Sequence, residues 1–212
     1  MMRCLAFAMS VVGGCVLLAS CGGGSGSGQV GTCTGAFAAC GGDPTGQWDI
    51  SSMCSEGDLA EAINDATVGD LPSCANVVQS ANMTFSGSVS YSNGTVTHDV
   101  STTTTAKLSY TMACLADLRG TPTADASTCA ALDASYKSSV VGTGSCTFAG
   151  ATCDCDSTVH STDTAVNAYT VSGGTITESD GSSYQFCVTA GTMSARIELA
   201  PGSYGVMTLT KQ

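Results

Sequence analysis

The stretch Met83-Thr84-Phe85-Ser86-Gly87-Ser88-Val89-Ser90-Tyr91-Ser92-Asn93-Gly94-Thr95-Val96-Thr97-His98-Asp99-Val100 decides the fold class. Met83, Phe85, Gly87, Val89 and Tyr91 alternate with Thr84, Ser86, Ser88 and Ser90, the period-two pattern of a half-buried strand. Asn93-Gly94 tolerates the positive φ angles of a two-residue turn and is a strong hairpin signal. Such a turn sets Tyr91 opposite Val96, Val89 opposite His98 and Gly87 opposite Val100. Both apolar sets then share one face, so pattern and turn agree.

Residues 105–114 alternate again, with Ala106, Leu108, Tyr110, Met112 and Cys114 on the apolar side. An unbroken strand over 95–114 would be about 65 Å long at roughly 3.3 Å per residue. That is too long for a single small domain, so a turn is expected within Ser101–Thr105. Further strands are expected at 46–53, 144–152, 164–172, 174–179, 183–190, 192–199 and 204–210. Gly173-Gly174, Asp180-Gly181 and Pro201-Gly202 punctuate the later ones. Two stretches break the pattern. Ser55-Glu56-Gly57-Asp58 resembles a capping box before Leu59, Ile63 and Ala66, which predicts helix over about 56–67. Alanine-rich 125–138, with Cys129, Leu132 and Tyr136 at helical spacing, predicts a second. The expected fold is mainly β: an antiparallel up-and-down meander, closed as a barrel or folded as a sandwich, with two short helical inserts.

Large apolar residues are sparse, and disulfides are expected to supply what the core lacks. Three of the 13 cysteines, Cys4, Cys15 and Cys21, lie in or end the first segment. The other ten are Cys33, Cys40, Cys54, Cys74, Cys114, Cys129, Cys146, Cys153, Cys155 and Cys187. An even set in an exported chain reads as a disulfide framework. Cys33–Cys40 and Cys54–Cys74 are the pairings that nearness in sequence suggests.

The first twenty residues have the parts of an export signal: Arg3, then an uncharged, mostly apolar run over 4–18. Leu18-Ala19-Ser20-Cys21 resembles the lipobox of bacterial lipoproteins. That resemblance implies cleavage before Cys21 and a lipid on its thiol, which would make the membrane a partner. Residues 1–20 are then the signal peptide, 21–32 the lipidated cysteine and a flexible Gly/Ser tether, and 33–212 the cysteine-rich β domain. Ten tether residues span roughly 16–19 Å. Gly22 in place of Asp favours the outer membrane of a Gram-negative envelope, by resemblance to the enteric sorting rule.

Without Arg3 the chain keeps five basic residues against seventeen acids, a formal charge of −12. A surface of that sign repels nucleic acid and anionic lipid. There is no Gly-x-Ser-x-Gly nucleophile elbow and no phosphate-binding loop, so no enzymatic activity, catalytic residue or cofactor is expected. His160 near Cys153-Asp154-Cys155-Asp156 and Asp163 suggests a metal site only if the thiols are reduced. Export oxidises them, and no metal site is assigned.

Gly46-Gln47-Trp48 resembles the Gly-x-Trp that opens the first strand of lipocalins. The segment Tyr184-Gln185-Phe186-Cys187-Val188-Thr189-Ala190-Gly191-Thr192 is similar to one common in bacterial lipocalin-like domains. The resemblance implies an eight-stranded barrel whose Trp packs against a basic residue near the last strand, here Arg196 by position. It also implies an apolar or amphipathic ligand inside, faced by Phe85, Tyr91, His98, Leu108 and Tyr110. The alternative is a structural or surface-interaction envelope protein with a filled core and no ligand.

Overall fold

The computed structural model of the chain describes residues 28–69, 71–139, 142–200 and 202–212. The export signal, Cys21 and the tether as far as residue 27 lie outside them. In chain order the elements are β1 (Gly28–Gln29), β2 (Gly31–Thr32), β3 (Gly46–Ser55), α1 (Leu59–Val68), a 3-10 turn (Pro72–Cys74), β4 (Val78–Ser92) and β5 (Thr95–Thr111). There follow α2 (Met112–Arg119), α3 (Ala126–Lys137), β6 (Gly142–Phe148), β7 (Thr152–Asp163), β8 (Val166–Ser172), β9 (Thr175–Glu178), β10 (Ser183–Thr189), β11 (Thr192–Ala200) and β12 (Ser203–Lys211).

These elements form two compact units. The first takes the described residues of Gly14–Asp58, with Met83–Thr103 and Ser161–Gln212; the second takes Leu59–Asn82 and Thr104–His160. In the first unit the sheet closes into a ring of eight strands, β3, β4, β5, β8, β9, β10, β11 and β12, each bonded to the next. The ring is sealed where β12 pairs antiparallel with β3, from Gly205↔Ser55 to Lys211↔Trp48. Ser51 is an extra residue on β3 at this seam; its hydroxyl donates to the Thr208 carbonyl at 3.0 Å. The turn between β4 and β5 is the expected one, with Asn93 at φ 52° and Gly94 at φ 75°.

Strand alternation turns one face of the ring strands inward. Trp48, Ile50, Val96, Ile176, Phe186, Met193 and Leu209 are each no more than 2% exposed. Full burial of one such side chain stabilises by about 1.5–3 kcal/mol. Gly87 has φ 126°, and a Cβ there would overlap the Asp99 carbonyl oxygen. Only glycine lets the two strands approach so closely. Gly28–Gln29 pairs with Phe85 and Thr84, and Gly31–Thr32 runs parallel to Cys54 and Ser55. The end of the expected tether is thus sheet, because β3 and β4 pair with each other over Gly46–Asp49 and Ser88–Tyr91, and their backbone groups beyond that stretch take it as a partner.

The second unit holds the three helices and the β6–β7 hairpin. The turn expected within Ser101–Thr105 is absent: β5 runs unbroken through Thr111, contributing strand to both units. A strand of 17 residues is accommodated because its two ends serve different units. The strand expected through Cys114 ends at Thr111, whose hydroxyl accepts from the Cys114 N–H at 3.1 Å and starts α2. Gly120 at φ 64° ends that helix. An apolar run such as Met112–Ala116 suits strand or helix equally, and the caps decide. The strand expected at 144–152 is two strands joined through Gly150, φ 81°. The helix expected from 56 begins at Leu59, since Ser55 belongs to β3 and its hydroxyl donates to the Gly57 carbonyl. The second expected helix is α3, with a capping box of Asp125 and Thr128.

All ten downstream cysteines are paired with one another. The first unit holds Cys33–Cys54 and Cys40–Cys187; the second holds Cys74–Cys114, Cys129–Cys153 and Cys146–Cys155. The Cys33–Cys40 and Cys54–Cys74 pairings are therefore wrong. β2 alongside β3 brings Cys33 to Cys54, with Cα atoms 4.9 Å apart, and a bridge at Gly41 seats Cys40 beside Cys187.

Candidate functional site

A titratable cluster sits in the first unit where β5, β8, β9 and β10 adjoin. Period two in Thr175-Ile176-Thr177-Glu178 puts Glu178 on the same buried face as Ile176, and Glu178 is 5% exposed. A carboxylate there must be paired or hydrogen-bonded. His98, in the apolar register of β5, places Nε2 3.0 Å from Glu178 Oε2 and 3.1 Å from Oε1. Asn167 on β8 donates to Glu178 Oε2 at 2.9 Å and also to Asp180 Oδ2 at 3.1 Å. Tyr184 on β10 donates to Glu178 Oε1 at 2.7 Å. Its single proton is thereby used, so the Tyr91 hydroxyl, 2.7 Å away, donates to Tyr184. Tyr91 also meets Tyr169 edge to face, ring centroids 5.2 Å apart.

The charges follow from these contacts. Burial pushes the Glu178 carboxyl up, but donation from His98 and Asn167, the His98 charge and donation from Tyr184 outweigh it and hold it below the ordinary carboxylate value. Burial pulls the His98 imidazole down, yet its bond to Glu178 and the negative charges of Glu178, Asp163 and Asp180 raise it overall. Asp163 is pushed up to about 6, chiefly by burial, with Glu178 and Asp180 adding to the rise. Burial, together with the neighbouring Glu178, keeps the Tyr91 and Tyr184 hydroxyls protonated as donors. The cluster is a His98–Glu178 ion pair fed by a chain of tyrosine donors, with Asp163 able to take up a proton near pH 6. With the His98 side chain only 16% exposed, the cluster ties four strands together.

Of the residues expected to face a ligand together, Phe85, Tyr91 and His98 are in the ring, whereas Leu108 and Tyr110 belong to the second unit. Tyr110 instead places its hydroxyl 3.4 Å from that of Tyr136. Sequence reading took Asp180 as turn punctuation and Tyr184 as part of a motif, and gave Asn167 and Glu178 no role. The available signal was Glu178 itself, an acid in an apolar register, matching the base His98 in another.

Trp48 is fully buried and its indole N–H donates to the Pro44 carbonyl at 2.6 Å. The cation over its ring is Lys211 from β12, Nζ 5.2 Å from the centroid, and not Arg196. Arg196 makes two bonds to Glu56, at 2.8 and 2.7 Å, and stacks over Tyr204. Register explains the difference, since Lys211 is paired directly with Trp48 and Arg196 lies a strand further on. Cys153 and Cys155, considered above as metal ligands, are bonded to Cys129 and Cys146.

The chain matches no family model, no curated protein and no solved structure.

Proposed function

We propose that the chain is a lipid-anchored extracytoplasmic protein whose ring is a lipocalin-like barrel with a filled interior, acting at the cell envelope through its surface. The observation that carries this reading is the set of fully buried side chains on the inward face of the ring strands, from Trp48 to Leu209. Large residues at those positions take the space that a carried ligand would need. The strict chain order of the eight strands supports the lipocalin-like topology, as does a basic residue of the last strand over the Trp of Gly-x-Trp.

Five disulfides support an oxidising compartment. Because the ten downstream cysteines pair among themselves, none of them competes for the Cys21 thiol, which the lipobox resemblance assigns to a lipid. The outer membrane is the proposed location.

Two measurements test this reading. Labelled palmitate should enter the protein in its host and be lost on Cys21→Ser; label that persists in the variant removes the anchor. Native mass spectrometry of host-purified protein should give the mass of the lipidated chain alone. A small apolar molecule bound at one equivalent would restore the carrier reading.

A further inference from the structure

Two of the five bridges in this fold are neighbours. β7 presents Cys153 and Cys155 on its buried face, two residues apart, while Asp154 and Asp156 turn to the exposed face. Cys155 is bonded to Cys146, its direct register partner on β6, with Cα atoms 4.1 Å apart. Cys153 is bonded to Cys129 on α3. The Sγ atoms of Cys146, Cys153 and Cys155 all lie within 4.8 Å of one another. Sulfurs of two separate bridges thus lie about one strand spacing apart. Cys146 is half-buried, while Cys129, Cys153 and Cys155 are at most 3% exposed. Of the four residues, Cys146 alone is not buried.

From this geometry we infer that Cys129, Cys146, Cys153 and Cys155 form a single thiol–disulfide exchange centre that passes reducing equivalents from the accessible bridge to the buried one. The co-reactant is a dithiol, either small or on a thioredoxin-type protein. One of its thiolates attacks Cys146 Sγ; the Cys146–Cys155 bond breaks and Cys155 leaves as a thiolate and takes a proton. The second dithiol sulfur then attacks the mixed disulfide, which oxidises the dithiol and frees Cys146. So far two electrons and two protons have moved to the protein. Cys146, diagonal to Cys153 across the hairpin, next attacks Cys153 Sγ. A Cys146–Cys153 bond forms, the Cys129–Cys153 bond breaks, and Cys129 takes up the proton that Cys146 lost. This last step moves no net electrons. It leaves the hairpin stapled and unlatches α3 from β7, so reduction at a half-buried site is converted into release of a helix.

The test is a titration of the whole oxidised protein with dithiothreitol at substoichiometric amounts. Samples are quenched in acid, alkylated with N-ethylmaleimide in acidic denaturant, and mapped without further reduction. A Cys146–Cys153-linked peptide should accumulate, with Cys129 and Cys155 alkylated and Cys153 unlabelled. Cys33–Cys54 and Cys40–Cys187, which lie in the other unit, should titrate independently of this set. The proposal is overturned if Cys146 and Cys155 are alkylated while Cys129–Cys153 stays intact. It is equally overturned if Cys129 and Cys153 gain label only together.

Discussion

His98 Nε2 lies 3.0 Å from Glu178 Oε2, joining two strands whose partners are 80 residues apart in the chain. Each shares a strand face with a fully buried apolar residue, His98 with Val96 and Glu178 with Ile176, so each neutralises what the other costs to bury. That contact couples the protein's stability to pH.

The cluster's contribution to thermal stability should peak at about pH 4 to 4.5 and decline as pH rises from there. Glu178 is held below its ordinary value of 4.5, so its contribution is present above 4.5 and lost as pH falls through the lowered value. His98 is raised above 6.5, so its contribution is full below 6.5 and lost as pH rises through the raised value. Asp163, raised from 3.8 to about 6, favours the fold only while protonated, and that contribution fades on the way up to pH 6. Melting curves by circular dichroism at constant ionic strength would show it. A maximum above pH 8 would contradict the assignment.

Glu178→Ala leaves His98, Asn167 and Tyr184 without their shared acceptor and should cost about 3–5 kcal/mol in urea unfolding. Glu178→Gln retains one carbonyl acceptor and should cost less, about 1–3 kcal/mol. It should also flatten the fall in stability above pH 6.5, since His98 then has no carboxylate to pair with. Equal losses in the two variants would mean that packing, not the charge pair, dominates.

Gly87→Ala should be among the most damaging small substitutions in the chain. The φ of 126° alone costs on the order of 1–3 kcal/mol for a side-chain-bearing residue, before the overlap with Asp99 is counted. Gly57 has open space around a Cβ and no unusual φ, so Gly57→Ala is the matched control and should change stability by under about 0.5 kcal/mol. Comparison of the two midpoints in denaturant decides the matter.

Trp48 is the sole tryptophan and is fully buried. Native fluorescence should be blue-shifted and should move to longer wavelength in one step when the first unit unfolds. Trp48→Ala should cost about 3–5 kcal/mol. Lys211→Met, which keeps the stem but removes the cation over the ring, should cost roughly 0.5–1 kcal/mol. A Trp48→Ala variant as stable as the parent would remove the ring core from the account of stability.

Much of the ring was legible because its signals are local. Alternation from Met83 to Tyr91, the Asn93-Gly94 turn and the late run of short strands each involve a few neighbouring residues. The candidate cluster was half legible: His98 and Glu178 both stand out as charged residues in apolar registers, but nothing near either one names the other. Met112–Ala116 misled because its hydrophobicity suits either period, and only the Thr111 and Gly120 caps resolve it.

By itself, then, the sequence determined the β class, the hairpin and its register, the second long helix and the presence of a cysteine framework. These follow from backbone sterics and side-chain periodicity, which act over a few residues. Tertiary structure alone decided that β5 serves two units, that the eight strands close with Lys211 over Trp48, which cysteines bond, and that Glu178 meets His98. Those outcomes depend on which distant segments come together, a choice made by the packing of the whole chain.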